Sequence, residues 1–121
     1  MTENENSKHY DLEDRTFAFA QDGRAFVKKL KRTIANIEDG RQLIKASGSV
    51  GANYIEANEA LSKKDFLMRI RICRKESKES RYWLRLVDAC DDQKQETGRR
   101  ELIQEATELM SIFGAIVRKH E

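Results

Sequence analysis

The sequence predicts an all-α protein, an antiparallel up-and-down four-helix bundle, on three observations. The 121 residues contain no proline, so nothing breaks a long helix by removing an N–H or clashing with the preceding turn. Apolar residues recur every three or four positions through four separate stretches, the period of a helix that buries one face. The links between these stretches are short and polar, which sets consecutive helices side by side and antiparallel. A chain of this length makes one domain, expected over residues 10–121 behind a polar, mobile tail of residues 1–9.

Asp11 suits the N-cap of the first helix, with acid in its first turn facing the positive end of the helix dipole. That helix is expected to run to about Lys31 and to bury Leu12, Phe19, Ala20, Gly23, Phe26, Val27 and Leu30, with Phe17 at the margin. Glycine inside a helix costs about 1 kcal/mol against alanine, so Gly23 in this stripe points to close approach of a neighbouring helix. After a short link near Arg32–Asn36, the second helix is expected from about Ile37 to Ala60. Ile37, Gly40, Leu43, Ile44, Ser47, Val50, Gly51, Tyr54, Ile55 and Leu61 share its broad face. The run from Ala46 to Ala52 has low helix propensity and is compatible with a loop. The apolar period passes through it without a shift, which favours a helix whose small residues admit another backbone. Gln42, Lys45, Ser49, Asn53 and Glu56 project from the other side.

Ser62 is the next N-cap, and Ser62-Lys63-Lys64-Asp65 resembles a capping box with Asp in place of Glu. The third helix, expected without interruption to Cys90, organises the chain. Phe66, Ile70, Cys73, Ser77, Ser80, Leu84 and Val87 fall on one arc at about 100° per residue, and Ile72, Trp83, Leu86 and Cys90 widen it. Lys63, Arg74, Lys78, Arg81 and Arg85 fall on the opposite side, with Lys64, Arg71 and Lys75 at the edge. Asp91 to Gly98 is polar and reads as the last turn. The fourth helix is expected from about Arg99 to Lys119, with Leu102, Ala106, Leu109, Phe113 and Ile116 as its seam and Ile103, Met110 and Val117 beside it.

A net charge of +2 does not by itself call for a nucleic-acid partner. The distribution says more. Between Lys63 and Arg85 nine basic residues face Asp65, Glu76 and Glu79. Arg74/Lys78 and Arg81/Arg85 are like-charge pairs one turn apart, each costing a few tenths of a kcal/mol. Such a stripe is either a solvated face neutralised by nearby acids or a surface for a polyanion. Tyr82 borders it, placed to stack on a base or to cover the helix. Glu76 and Glu79 fall beside Ile72, Trp83 and Leu86, where carboxylates need cations or interface water. Arg69 and Arg41 are the candidate cations. Asn53 and Glu56 would face solvent on a lone bundle, which gives them an interface role or an ordinary surface one. Burial in one small domain is modest, so self-association would add stability.

The residues name no catalyst. His9 and His120 lie at the two ends without spaced partners, and no HExxH, CxxC or Glu-x-x-His pair is present, so no metal or other cofactor is expected. Gly48 and Gly51 lack the Lys-Ser/Thr ending of a phosphate loop. Cys73 and Cys90 lie on apolar arcs and read as small buried hydrophobes. Seventeen residues apart on one helix, they would be roughly 25 Å from each other, too far for a disulfide. Two free thiols, no signal peptide and no membrane-length apolar run fit a soluble cytoplasmic protein with no membrane contact and no small-molecule substrate.

Several stretches together resemble a known family. They are Tyr10-Asp11-Leu12-Glu13 with Arg15-Thr16-Phe17 and Phe19-Ala20, and the long run from Arg41 to Ala57. Ser62 to Phe66, Arg74 to Glu79 and Tyr82 to Leu86 complete the pattern. The chain is similar here to the four-helix-bundle proteins encoded in intervening sequences of bacterial large-subunit ribosomal RNA genes. Lys45-Ala46-Ser47-Gly48 stands where relatives often read Arg-Ser-Ala-Thr, and the fourth helix matches more loosely. The resemblance implies an antiparallel bundle assembled as a homopentameric barrel. A related group, the accessory variability determinant of diversity-generating retroelements, implies binding of nucleic acid and of a reverse transcriptase through a basic surface.

The expected function is therefore a non-enzymatic nucleic-acid-binding bundle, RNA-associated, acting as a ring-shaped homo-oligomer. Lys63, Arg74, Lys78, Arg81 and Arg85 would contact phosphates. Asn53, Glu56, Ile72, Glu76, Glu79, Trp83 and Leu86 would form the oligomer or partner interface. The alternative is a protein-interaction adaptor that recruits an enzyme such as a polymerase or reverse transcriptase.

Overall fold

Four helices follow one another in the computed structural model, which describes residues 11–121. They are α1 (Leu12–Lys29), α2 (Ile34–Asn58), α3 (Lys63–Leu86) and α4 (Gln93–His120). The tail expected over residues 1–9 lies outside the described residues, as does Tyr10. Contacts at the helix ends establish the antiparallel order. Glu13 near the start of α1 accepts a hydrogen bond from Asn58 at the end of α2. The ring of Phe66 near the start of α3 lies 5.5 Å from that of His120 at the end of α4. α2 and α3 share the most extensive seam and α1 and α4 the least, so the helices stand in chain order around the core.

Each start is capped by a side-chain oxygen that accepts an otherwise unpaired N–H. Asp11 and Ser62 cap as expected, taking Asp14 N and Asp65 N at 3.1 Å each. Thr33 caps α2 through Asn36 N at 3.1 Å. Asp92 caps α4 through Lys94 N and Gln95 N at 3.0 and 3.2 Å.

The caps move two starts earlier than expected. α2 begins at Ile34 rather than Ile37, and α4 at Gln93 rather than Arg99. The largest correction is at the end of α3, which stops at Leu86 and not at Cys90. Val87 turns extended and buries its side chain, and Cys90 and Asp91 then adopt positive φ of 55° and 62°. Left-handed backbone costs a non-glycine residue roughly 1–2 kcal/mol. Here Asp88 accepts the Cys90 N–H at 2.8 Å, and Ala89 O accepts that of Asp92 at 3.1 Å. No glycine or proline marks the stop. Cys90 therefore leaves the arc assigned to it, and both cysteines are free thiols.

The core is the arc read from α3 closed over by the other three helices. Phe19, Leu43, Val50, Ile70, Cys73, Leu84, Leu109 and Phe113 are buried. Ser77 and Ser80, also buried, donate their hydroxyls at 2.8 Å to Cys73 O and Glu76 O on their own helix, which lets polar groups sit in the core. The run from Ala46 to Ala52 is helical. α1 packs closely against α2: a methyl group on Gly23 would lie 3.2 Å from Ser47 Oγ, and one on Gly40 2.9 Å from Val27 Cγ1. Three apolar residues expected on the buried face of α2 or after it, Ile37, Ile55 and Leu61, are exposed. Asn36 and Thr16 are buried instead. Arg15 ties α1 to α4 through both oxygens of Glu105, at 2.7 and 2.8 Å, and through Glu108 at 2.8 Å.

Candidate nucleic-acid interface

Helix α3 lies between α2 and α4, and its two flanks differ chemically. The flank toward α4 is cationic. Arg81 Nη1 reaches Thr107 Oγ1 of α4 at 3.4 Å, and Arg99 of α4 donates to Arg85 O at 3.3 Å. Arg71, Arg74, Lys75 and Lys78 of α3 meet Arg118 of α4 around a shallow concavity of about 530 Å³ with Met110, Gly114 and Val117 in its wall. The basic stripe is therefore not opposite the buried arc, as expected, but beside it along the α3–α4 seam. The helical period itself gives the reason: at about 100° per residue the five cations centre only about a quarter-turn from the middle of the arc, and Leu67, buried, falls among them.

Lys63, Arg74, Lys78 and Arg85 are exposed, whereas Arg81 is half-buried by its contact with Thr107. Arg74 and Lys78 share the concavity. Lys63 stands at the first turn of α3, apart from its lining. Among the described residues, none of the five forms an ion pair. Arg71 pairs with Glu121 at 3.1 Å, with both side chains about half exposed, a setting in which such pairs contribute little. Arg118 was missed from the sequence. The signal was the basic last turn of α4, Arg118-Lys119-His120, which an antiparallel α4 returns to the first half of α3.

The flank toward α2 is mixed. Asn53 does not face solvent. It is half-buried, donates to Ser49 O and Oγ at 2.9 and 3.0 Å, and accepts from Arg69 Nη1 at 3.0 Å. Arg69 is thus engaged by Asn53 and does not pair with Glu76 or Glu79, and Arg41 sits 3.8 Å from Glu38 instead. Glu76 is half-buried. Burial, and next the charge of Glu79, raise its pKa against the pull of Lys75, Lys45 and a hydrogen bond with Ser49. Glu56 and Glu79 are exposed. Ile72 and Trp83 are half-buried, and Leu86 and Tyr82 are exposed. Tyr82 meets Trp83 edge-on at 5.0 Å, and the Trp83 Nε1 proton is buried without an acceptor.

Burial pushes the Cys73 thiol up to about 12, which keeps it protonated and non-nucleophilic at neutral pH. Among the described residues, no group of three or more His, Cys, Asp and Glu side chains is placed to hold a metal ion, and no helix is long and apolar enough to cross a membrane.

Comparison with known proteins bears on this arrangement. No curated protein matches the chain significantly. Among solved structures, it is similar to a protein of unknown function from the S23 ribosomal protein family of Bacteroides thetaiotaomicron. The two share 26% identity over 92% of this chain and 98% of that one, with a TM-score of 0.75. The family model for the 23S rRNA-intervening sequence protein matches residues 8–115. That span takes in α1, α2 and α3 whole and most of α4, stopping short of Arg118, and so the chain belongs to the 23S rRNA-intervening sequence protein family.

Proposed function

We propose that the protein is a non-enzymatic RNA-binding bundle that works as a ring-shaped homo-oligomer. The observation that carries the RNA reading is the exposed cation row along the α3–α4 seam, Arg74, Lys78 and Arg85 above all, without ion pairs among the described residues. Self-repelling charge of this kind is relieved by a polyanion, whose condensed counterions are released on binding. Membership of a family named for ribosomal RNA intervening sequences supports RNA over other polyanions.

The ring reading rests on two apolar surfaces on different sides of the bundle. Ile72, Trp83 and Leu86 line one on α3. Phe17 and Ile55 line another across α1 and α2 and are 63% and 49% exposed. Two unlike patches favour head-to-tail association, the kind that builds a ring when its rotation closes, over a two-fold dimer.

Titration of a structured RNA across a salt series tests the first part. Affinity is expected to fall steeply with salt, and charge reversal of Arg74 and Lys78 together to flatten the log–log slope by about 1.5. Binding that is absent at low salt, or insensitive to salt, defeats the reading. Light scattering with and without RNA tests the ring, and a monomer in both states defeats it.

The adaptor reading has its own support, the exposed Tyr82 and Leu86 beside the unsatisfied Trp83 indole. A protein recovered stoichiometrically after nuclease treatment, and lost on Leu86→Glu, would favour it.

A further inference from the structure

Gly114 is buried on α4, yet what surrounds it is charge. A methyl group added there would lie 3.3 Å from Nη1 of Arg118 and 3.6 Å from Nε of Arg74. Two guanidinium groups, one from each wall of the seam, therefore converge on a single point above a residue with no side chain. We propose that Arg74 and Arg118 form a notch that seats one backbone phosphate of a bound RNA over Gly114. The proposal rests on the RNA reading above and supplies its seat.

Three observations support the notch. Among the described residues, neither arginine is in an ion pair, so no direct carboxylate contact there offsets their mutual repulsion. The acid that lines the same concavity, Glu121, is held by Arg71 at 3.1 Å. Guanidinium groups present forked N–H donors that match the oxygens of a phosphate, whereas one ammonium group acts as a point charge. The concavity is shallow, and Lys75 and Lys78 line it beside the notch, with Arg81 and Arg85 one and two turns further along α3. That continuation suits consecutive phosphates of a chain and is more than a free phosphate needs.

Glycine is the residue that permits the convergence, and this separates the notch from general basicity. In Gly114→Ala the new carbon meets only the ends of two flexible side chains, and alanine is the better helix former. Its melting temperature is expected to hold or rise while RNA affinity falls, because Arg118 Nη1, 3.3 Å from the new carbon, must give way and the methyl group occupies the floor of the notch. Arg74→Gln and Arg118→Gln are each expected to lower affinity about fivefold. The double variant should reduce the salt slope by about 0.7–0.9, one phosphate's worth, with a loss smaller than the product of the singles.

Arg118→Gln and Gly114→Ala that bind RNA like the parent, while reversal of Arg74 and Lys78 abolishes binding, would overturn the notch and leave the RNA reading standing. No RNA binding by the parent overturns both. Inorganic phosphate that competes at concentrations comparable to RNA phosphate would assign the seat to a free phosphate and overturn the backbone assignment.

Discussion

Asn36 grips Asp88 by both of its backbone groups: Nδ2 donates to Asp88 O and Oδ1 accepts from Asp88 N, each at 2.9 Å. The same Nδ2 donates to Lys31 O at 3.0 Å. One buried amide thus joins the end of α1, the start of α2 and the exit of α3. It acts as a piece of backbone at the place where α3 leaves its helical path. Replacing it strips Asp88 N–H, Asp88 O and Lys31 O of a partner at a part-buried junction. Asn36→Ala is expected to destabilise the protein by about 2–4 kcal/mol. Asn36→Asp should be at least as harmful at neutral pH, since a carboxylate would face two carbonyl oxygens. Urea unfolding measures both, and a loss below about 1 kcal/mol would show that the junction does not depend on this amide.

Two glycines predict opposite outcomes for the same substitution. At Gly40 a methyl group meets Val27 Cγ1 at 2.9 Å, and a β-branched side chain packed against the core has little freedom to yield. Gly40→Ala is expected to cost about 1–3 kcal/mol through overpacking. At Gly98, inside α4, the nearest atom is Phe26 Cδ1 at 3.6 Å, an ordinary contact. Gly98→Ala should stabilise by about 0.5–1 kcal/mol through helix propensity. Thermal unfolding of the pair decides it, and shifts of the same sign would contradict the packing argument.

Glu76 carries a pH prediction. Its pKa is raised in the folded protein, first by burial and then by Glu79. Between the unfolded and the folded pKa the native state holds the extra proton, so stability falls as pH rises through that window. Glu76→Gln removes this dependence. Relative to the parent, the variant should gain stability at pH 7, by less than about 1 kcal/mol because the site is partly solvated. The difference should vanish near pH 4. Denaturation midpoints at the two pH values test this, and a gap that widens on acidification would reverse the assigned sign.

The two thiols should react at very different rates. Cys73 is fully buried, donates to Val50 O at 3.4 Å, and has its thiol pushed up to about 12. Cys90 is half-buried in the connection after α3. At pH 8 an aromatic disulfide reagent is expected to modify one thiol per native chain, and the second only on unfolding. The fast site should be Cys90, so Cys90→Ser should remove the fast phase. Two fast thiols would mean that α2 and α3 open readily.

What the amino-acid sequence determined alone is what local rules govern. Ser62 and Asp11 could be read as caps because a cap acts within three or four residues. The α3 arc from Ile70 to Leu84 could be read because helical period depends on one axis only. The seam of α4 from Leu102 to Phe113 was legible for the same reason. The Ala46 to Ala52 run was placed correctly in a helix by its unbroken period, against its propensity.

Tertiary structure decided the rest, because it depends on which element lies alongside. Periodicity assigns each residue an angle on its own helix but does not say how far a neighbour covers the edge of the arc. The cations of α3 stand about a quarter-turn from the middle of the arc by period alone, but that the element they border there is α4 was decided by packing. Arg118, distant in sequence, joins Arg74 only because α4 runs back antiparallel and Gly114 leaves room between them. Asn53 and Arg69 bind each other across the α2–α3 seam, a partnership no spacing rule contains. α3 ends at Leu86 without glycine or proline because Asn36, from another helix, holds the backbone of Asp88 in a non-helical path.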